Sequence, residues 1–246
     1  MPIYDISLQP SLQPTQHNVW LISYADGDIH LANQRFLNFS AINKGIDFYL
    51  PYNKKHIDPS YIKAHNNTFS QKRGAGYWLW KPYLILKILK QIPKNDVVLY
   101  VDCGAALRQP IVPLLKELDN HDIVLVQNHH KNRHFIKRDL LTMFNADNNE
   151  TRDAYQLIGG FVLVKNTRFA RNFIRTWLRW CEKEHALTDT KSQDEHPDFK
   201  DHRHDQAILT LLAMQNPARI KIMPHSTFSQ YLSLHYRRGF DEGSLF

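Results

Sequence analysis

The strongest constraint on how this chain folds lies at residues 97–101, Val-Val-Leu-Tyr-Val, an unbroken apolar and aromatic run followed at once by Asp102-Cys103-Gly104. Three of the five residues are β-branched. Such a run predicts a strand buried on both faces, as in the parallel sheets of α/β proteins. In an open α/β sheet, ligands bind in the crevice outside the carboxyl ends of the strands. The run therefore delivers Asp102 to a ligand-binding edge, with a small residue and Gly104 behind it leaving room for a metal or a ribose. Asp-x-Gly is also ordinary turn chemistry, so the motif does not decide the matter alone.

Similar apolar runs at residues 19–24, 46–50, 121–126, 159–164 and 219–223 read as further strands. Helical patterns fall between them at 29–43, 83–91, 110–118, 168–184 and 206–214. Strand, helix, strand at this spacing predicts a parallel sheet with right-handed crossovers. At 246 residues the chain is long for one domain and short for two, and a single α/β domain is expected. On the 168–184 helix, Phe169, Phe173, Trp177 and Trp180 share a face, which is expected to be core. Residues 185–201 are charged and interrupted by proline, so they read as a mobile lid.

A hydrophobic fraction of 43% with 12% aromatics excludes a disordered chain. The net charge of +7 suits an anionic partner. Basic pairs such as Lys54-Lys55, Lys72-Arg73 and Arg237-Arg238 are scattered among acids, however, so nucleic acid is not expected. No apolar run reaches the roughly 18 residues of a membrane span, and the polar start lacks the apolar centre of a secretory leader. A cytoplasmic protein is expected, with peripheral membrane contact as the most it would make. Cys103 and Cys181 show no metal-like spacing and form no disulfide framework.

Two further stretches carry chemistry. Arg73-Gly74-Ala75-Gly76 precedes Tyr77-Trp78-Leu79-Trp80-Lys81-Pro82 and offers a charged fork and flexible backbone beside two tryptophans, suited to holding a phosphate against an aromatic wall. The bland alternative is a helix entry with two core tryptophans. His202-Arg203-His204-Asp205-Gln206 stands just before an apolar helix. Asp205 there suits a helix N-terminus, metal ligation, or work as a general base or substrate-binding group.

Tyr100-Val101-Asp102-Cys103-Gly104, the run from Gly159-Gly160 to Lys165-Asn166, and His204-Asp205-Gln206 resemble, in that order and spacing, the nucleotide-sugar glycosyltransferases of the A-type fold. The resemblance extends to bacterial and viral members that share the R-G-x-G-Y-W-x-W-K-P and H-R-H-D-Q stretches, and it covers nearly the whole chain. It implies a Rossmann-like, mostly parallel sheet with helices on both faces, binding a nucleotide diphosphate sugar. It also implies an N-terminal arm (1–17), a nucleotide-binding half (18–126), an acceptor and catalytic half (127–223) and a closing segment (224–246).

By that resemblance Ser23 and Tyr24 contact the nucleoside, and Arg73, Lys81, Gly159, Gly160 and Arg237 join Asp102 and Gly104 in donor binding. Asp205 and Gln206 line the reaction centre. Asp102 and His235 would hold Mn²⁺ or Mg²⁺, although the second acid of the family's D-x-D pattern is here Gly104. Lys137 and Asp139 also lie in shared stretches, without an assigned role. The implied reaction moves a sugar, with uridine diphosphate the expected carrier, to a hydroxyl of a glycan, lipid or protein, as in polysaccharide biosynthesis. Two alternatives stand beside it: a metal-dependent phosphohydrolase, and a non-catalytic nucleotide- or carbohydrate-binding module.

Overall fold

The computed structural model describes residues 17–234. Its strands are β1 (Val19–Tyr24), β2 (Phe48–Tyr52), β3 (Val97–Val101), β4 (Ala105–Leu107), β5 (Ile123–Lys131), β6 (Tyr155–Leu157), β7 (Phe161–Lys165), β8 (Ile220–Met223) and β9 (Leu232–Leu234). The main sheet runs β2-β1-β3-β7-β5-β6, with β8 also on β5. β1 is parallel to β2 and β3, and β8 to β5. β7 runs antiparallel between β3 and β5, and β6 is antiparallel to β5. Five strands thus point one way and two the other, a mostly parallel sheet. The reversal of β7 could not be read from its residues, because an apolar run buried on both faces carries no mark of direction.

Side-chain alternation along the strands gives the sheet two apolar faces. Leu21, Leu99, Val101, Phe161 and Leu163 face Leu37 of the Asp28–Ser40 helix, together with Leu114, Leu118 and Phe228. Ile22, Val98, Tyr100, Val162 and Val164 face the Trp80–Leu89, Arg168–Cys181 and His204–Met214 helices. The Arg168–Cys181 helix shows why these residues fold as they do. Thr167 caps it by accepting from the Ala170 N–H at 3.1 Å, and Phe173 and Trp177 are buried while Phe169 and Trp180 pack at the margin.

Some boundaries differ from expectation. β2 starts two residues late and runs through Pro51, which an edge strand tolerates because the missing N–H need not enter the ladder. β5 continues past Val126 to Lys131, where it also pairs with β6. β4, β6 and β9, three residues each, are too short to show a period. β4 and β9 make a separate antiparallel ribbon that fixes the chain just beyond Asp102.

Candidate active site

Asp102 leaves the carboxyl end of a strand whose five residues are all buried. Its N–H donates to the Gly160 carbonyl at 2.9 Å, and its own carbonyl accepts from the Ala105 N–H at 3.1 Å, closing a turn over Cys103-Gly104. Tyr100 lies two residues back on the same face of the strand. Its hydroxyl donates to Asp102 Oδ1 at 2.5 Å. Burial first, then the Asp102 charge, hold the Tyr100 hydroxyl well above its ordinary range, so it stays protonated and a donor. The Asp102 side chain keeps 18% of its surface open.

Lys81 and Asp205 meet beside it. Lys81 enters from the first turn of the Trp80–Leu89 helix and is 2% exposed; Asp205 comes from the first turn of the His204–Met214 helix and is 3% exposed. Lys81 Nζ stands 3.0 Å from Asp205 Oδ2 and 3.5 Å from Asp102 Oδ1. Burial pulls the Lys81 ammonium down, but the two carboxylates outweigh it and the net shift is upward. Burial raises the Asp205 carboxyl to about 6 against the opposing pull of Lys81. The indole of Trp177 anchors this helix start by donating to the Asp205 carbonyl at 2.9 Å.

Gly159 lets that start approach the sheet. A Cβ at Gly159 would lie 3.1 Å from Gln206 Cβ and 3.4 Å from Asp205 Oδ2. Gln206 Oε1 accepts from the Gly159 N–H at 3.0 Å, and its Nε2 donates to Gln156 Oε1 at 2.6 Å. Its amide is therefore occupied with the sheet.

The other expected residues fall around this centre. Ser23 is buried and accepts from Gln34 Nε2 at 3.1 Å, while the Tyr24 ring stacks on Trp80 at 3.9 Å. Both stand at the carboxyl end of β1, next to β3. Arg73 is not joined to Asp102; its guanidinium pairs with Asp189 at 3.1 Å and Asp201 at 2.8 Å. The segment expected as a mobile lid is thus fastened by Arg73, and again by buried Lys137, which donates to the Thr188 and Thr190 carbonyls at 3.0 and 3.1 Å. Asp139 accepts from His185 Nε2 at 2.8 Å on the same segment. His235 and Arg237 lie outside the described residues.

His202 and His204 are each 2% exposed and use one ring nitrogen on a backbone carbonyl, of Ala186 at 2.9 Å and Leu187 at 2.8 Å. Burial pushes both imidazoles down, His204 to about 4, so they act as neutral fasteners of the Glu184–Leu187 turn. A divalent ion needs several hard oxygens. Among the described residues no group of three or more His, Cys, Asp or Glu is placed to hold one. Gly104 offers no side-chain donor, and Asp102 Oδ1 already has the Tyr100 hydroxyl and the Lys81 ammonium against it. The described residues do not by themselves fit a metal.

Tyr100, Gln156 and Trp177 belong to the site without having been expected there. For Tyr100 a signal existed, since residues two apart on a strand share a face; the other two are tertiary contacts with no local mark.

No family model matches this sequence, and no curated protein does. Among solved structures, mouse xyloside xylosyltransferase 1 in its apo form is 12% identical, with 84% of each chain covered and a TM-score of 0.46. A glycosyltransferase involved in glycosylation of the major capsid of PBCV-1 is 8% identical over 84% of this chain and 82% of that one, with a TM-score of 0.49. Core-mannan synthase A from Aspergillus fumigatus, in an Mn/GDP form, is 11% identical over 91% of this chain and 76% of that one, again at 0.49. Likenesses this distant say nothing of this chain's activity.

Proposed function

We propose that this chain is a glycosyltransferase that moves a sugar from a nucleotide diphosphate, uridine diphosphate being the expected carrier, to an acceptor hydroxyl. The observation that carries the reading is the grouping of a partly exposed Asp102 and a buried Asp205 about one ammonium, at the carboxyl ends of a mostly parallel sheet. In open α/β sheets ligands bind outside the carboxyl ends of the strands. The partly exposed Asp102 can accept from ribose or sugar hydroxyls. Asp205 is mounted rigidly by Trp177, Gly159 and Lys81, as a carboxylate working beside an anomeric carbon must be. Arg73, half-exposed, pairs with Asp189, which also lies 3.7 Å from the His204 ring next to Asp205 in the chain. The acceptor would be a glycan, lipid or protein hydroxyl.

The test is incubation with labelled uridine, guanosine, cytidine and thymidine diphosphate sugars in water, with and without Mn²⁺. Release of free sugar and nucleoside diphosphate from one of them supports the reading. A nucleotide that binds should also raise the melting temperature by mass action. Neither turnover nor a thermal shift with any of the four, in either condition, would refute it. Among the described residues no helix is long and apolar enough to cross a membrane.

A further inference from the structure

Lys81 is an expensive residue where it stands. Its ammonium is almost wholly shielded from water and sits in the first turn of a helix, where the backbone dipole disfavours a positive charge. The Tyr100 and Trp80 rings wall it in, with centroids 5.3 and 5.8 Å from Nζ. Apolar residues in place of Lys81 and its two acids together would fit such surroundings without desolvating charges, and buried ion clusters are often no more stable than such a substitute. Stability alone therefore does not account for a lysine here.

Geometry supplies the account. Lys81, Asp102 and Asp205 come from three different elements, and Nζ touches both carboxylates. Without the cation, two carboxylates, one of them buried, would stand close together and repel. With it, they are drawn to a common point and their separation is set. Asp205 Oδ2 has no other hydrogen-bond partner in its buried position, so nothing else in the described structure aims that oxygen. Lys81 itself is too enclosed to reach a substrate.

We propose that Lys81 is the positioning residue of this centre, acting on the reaction only through the carboxylates that it holds, and on Asp205 above all. The proposal rests on the glycosyl-transfer reading of the same site. It differs from the donor-binding role implied by family resemblance, in which Lys81 would touch the nucleotide sugar directly.

The test is a double-mutant cycle of Lys81→Met and Asp205→Asn, read by melting temperature, by uridine diphosphate affinity and by turnover of the sugar nucleotide that the wild type accepts. Lys81→Met should lower the melting temperature more than Asp205→Asn, and the double variant should recover part of that loss. Turnover should fall by on the order of 10²-fold in each single variant, and the double variant should lie within threefold of the worse single, as for residues that act as one unit. Uridine diphosphate affinity should change less than tenfold.

Multiplying losses of turnover would overturn the proposal by showing direct contact with substrate, and so would Lys81→Met turnover within threefold of wild type. Strictly additive melting shifts would do the same, by showing that Lys81 does not hold Asp205. If Lys81→Met does not fold, folding of the double variant is itself the coupling, and its failure refutes the proposal. A wild type inactive on every nucleotide sugar would end the glycosyl-transfer reading instead, leaving the melting cycle to decide the hold of Lys81 on Asp205.

Discussion

The ionisation of Asp205 has a consequence for stability that can be measured without any substrate. Its carboxyl stands at about 6 in the folded chain against an ordinary 3.8, chiefly through burial. The fold therefore favours the protonated form. Stability from this group is complete below about pH 3.8 and is lost as pH rises through 6. The size is (6 − 3.8) × 1.36, or about 3 kcal/mol. For a chain of this length, at roughly 2–4 °C per kcal/mol, that is a loss of about 6–12 °C in melting temperature. Asp205→Asn cannot ionise and should lack this contribution. Melting temperatures of wild type and variant from pH 4 to pH 8 give the assay. Groups such as Asp58, which Tyr83 and Lys87 hold down, titrate alike in both proteins and cancel in the difference. Wild type minus variant should fall by about 5–10 °C between pH 4 and pH 7.5, with half of the fall passed near pH 5 and a plateau once pH exceeds about 6.5. A difference constant within 2 °C would show that Asp205 keeps an ordinary carboxylate pKa in the fold and would refute the upward shift, the pull of Lys81 then offsetting burial. If the ionised form is the working one, wild-type turnover should rise along the same limb.

Two other variants probe the backbone and the fastened segment. Gly74→Ala would put a Cβ 2.4 Å from the Trp78 ring, so it should lower the melting temperature clearly, whereas Ala75→Gly relieves a left-handed residue and should leave stability equal or higher by up to about 1 kcal/mol; the reverse order would refute the left-handed turn. Arg73→Ala removes two half-exposed pairs and should cost no more than about 1 kcal/mol, yet hydrogen exchange at residues 188–201 should speed up several-fold, and unchanged exchange there would show that Arg73 is not the fastener.

What the sequence made legible was local. The 97–101 run announced a doubly buried strand because length and β-branching suffice for that, and Asp102 at its end followed directly. The order and direction of the strands were not legible: β7 looks the same in either orientation, and what reverses it is the path of the chain before it. Arg73 reads as a phosphate fork from its neighbours alone, because nothing nearby in sequence reveals that Asp189 and Asp201 will fold over it. His202 and His204 read as ligand candidates for the same reason, since their carbonyl partners at Ala186 and Leu187 are brought by the fold.

Lys81 and Asp205 were each visible as polar residues at the start of an apolar helix, but their meeting was not, and the backbone shows why it needed the whole fold. The residues leading to Lys81, from Gly74 through Ala75, Gly76 and Tyr77 to Trp78, all have positive φ, between 50° and 99°. His204, next to Asp205, has φ of 49°. For the non-glycine residues this conformation is unfavourable by roughly 1–3 kcal/mol each, and it persists only where the surroundings dictate it. Here the two strained entries brace each other: the Tyr77 and Trp78 rings lie 4.9 and 5.3 Å from the His204 ring, and Trp80 Nε1 donates to the Gly74 carbonyl at 2.9 Å. Strain in the two approaches and buried charge at their ends thus occur at one point, the carboxyl edge of β3. Neither would be chosen for stability, and both serve to hold Asp205 still beside the open face of Asp102.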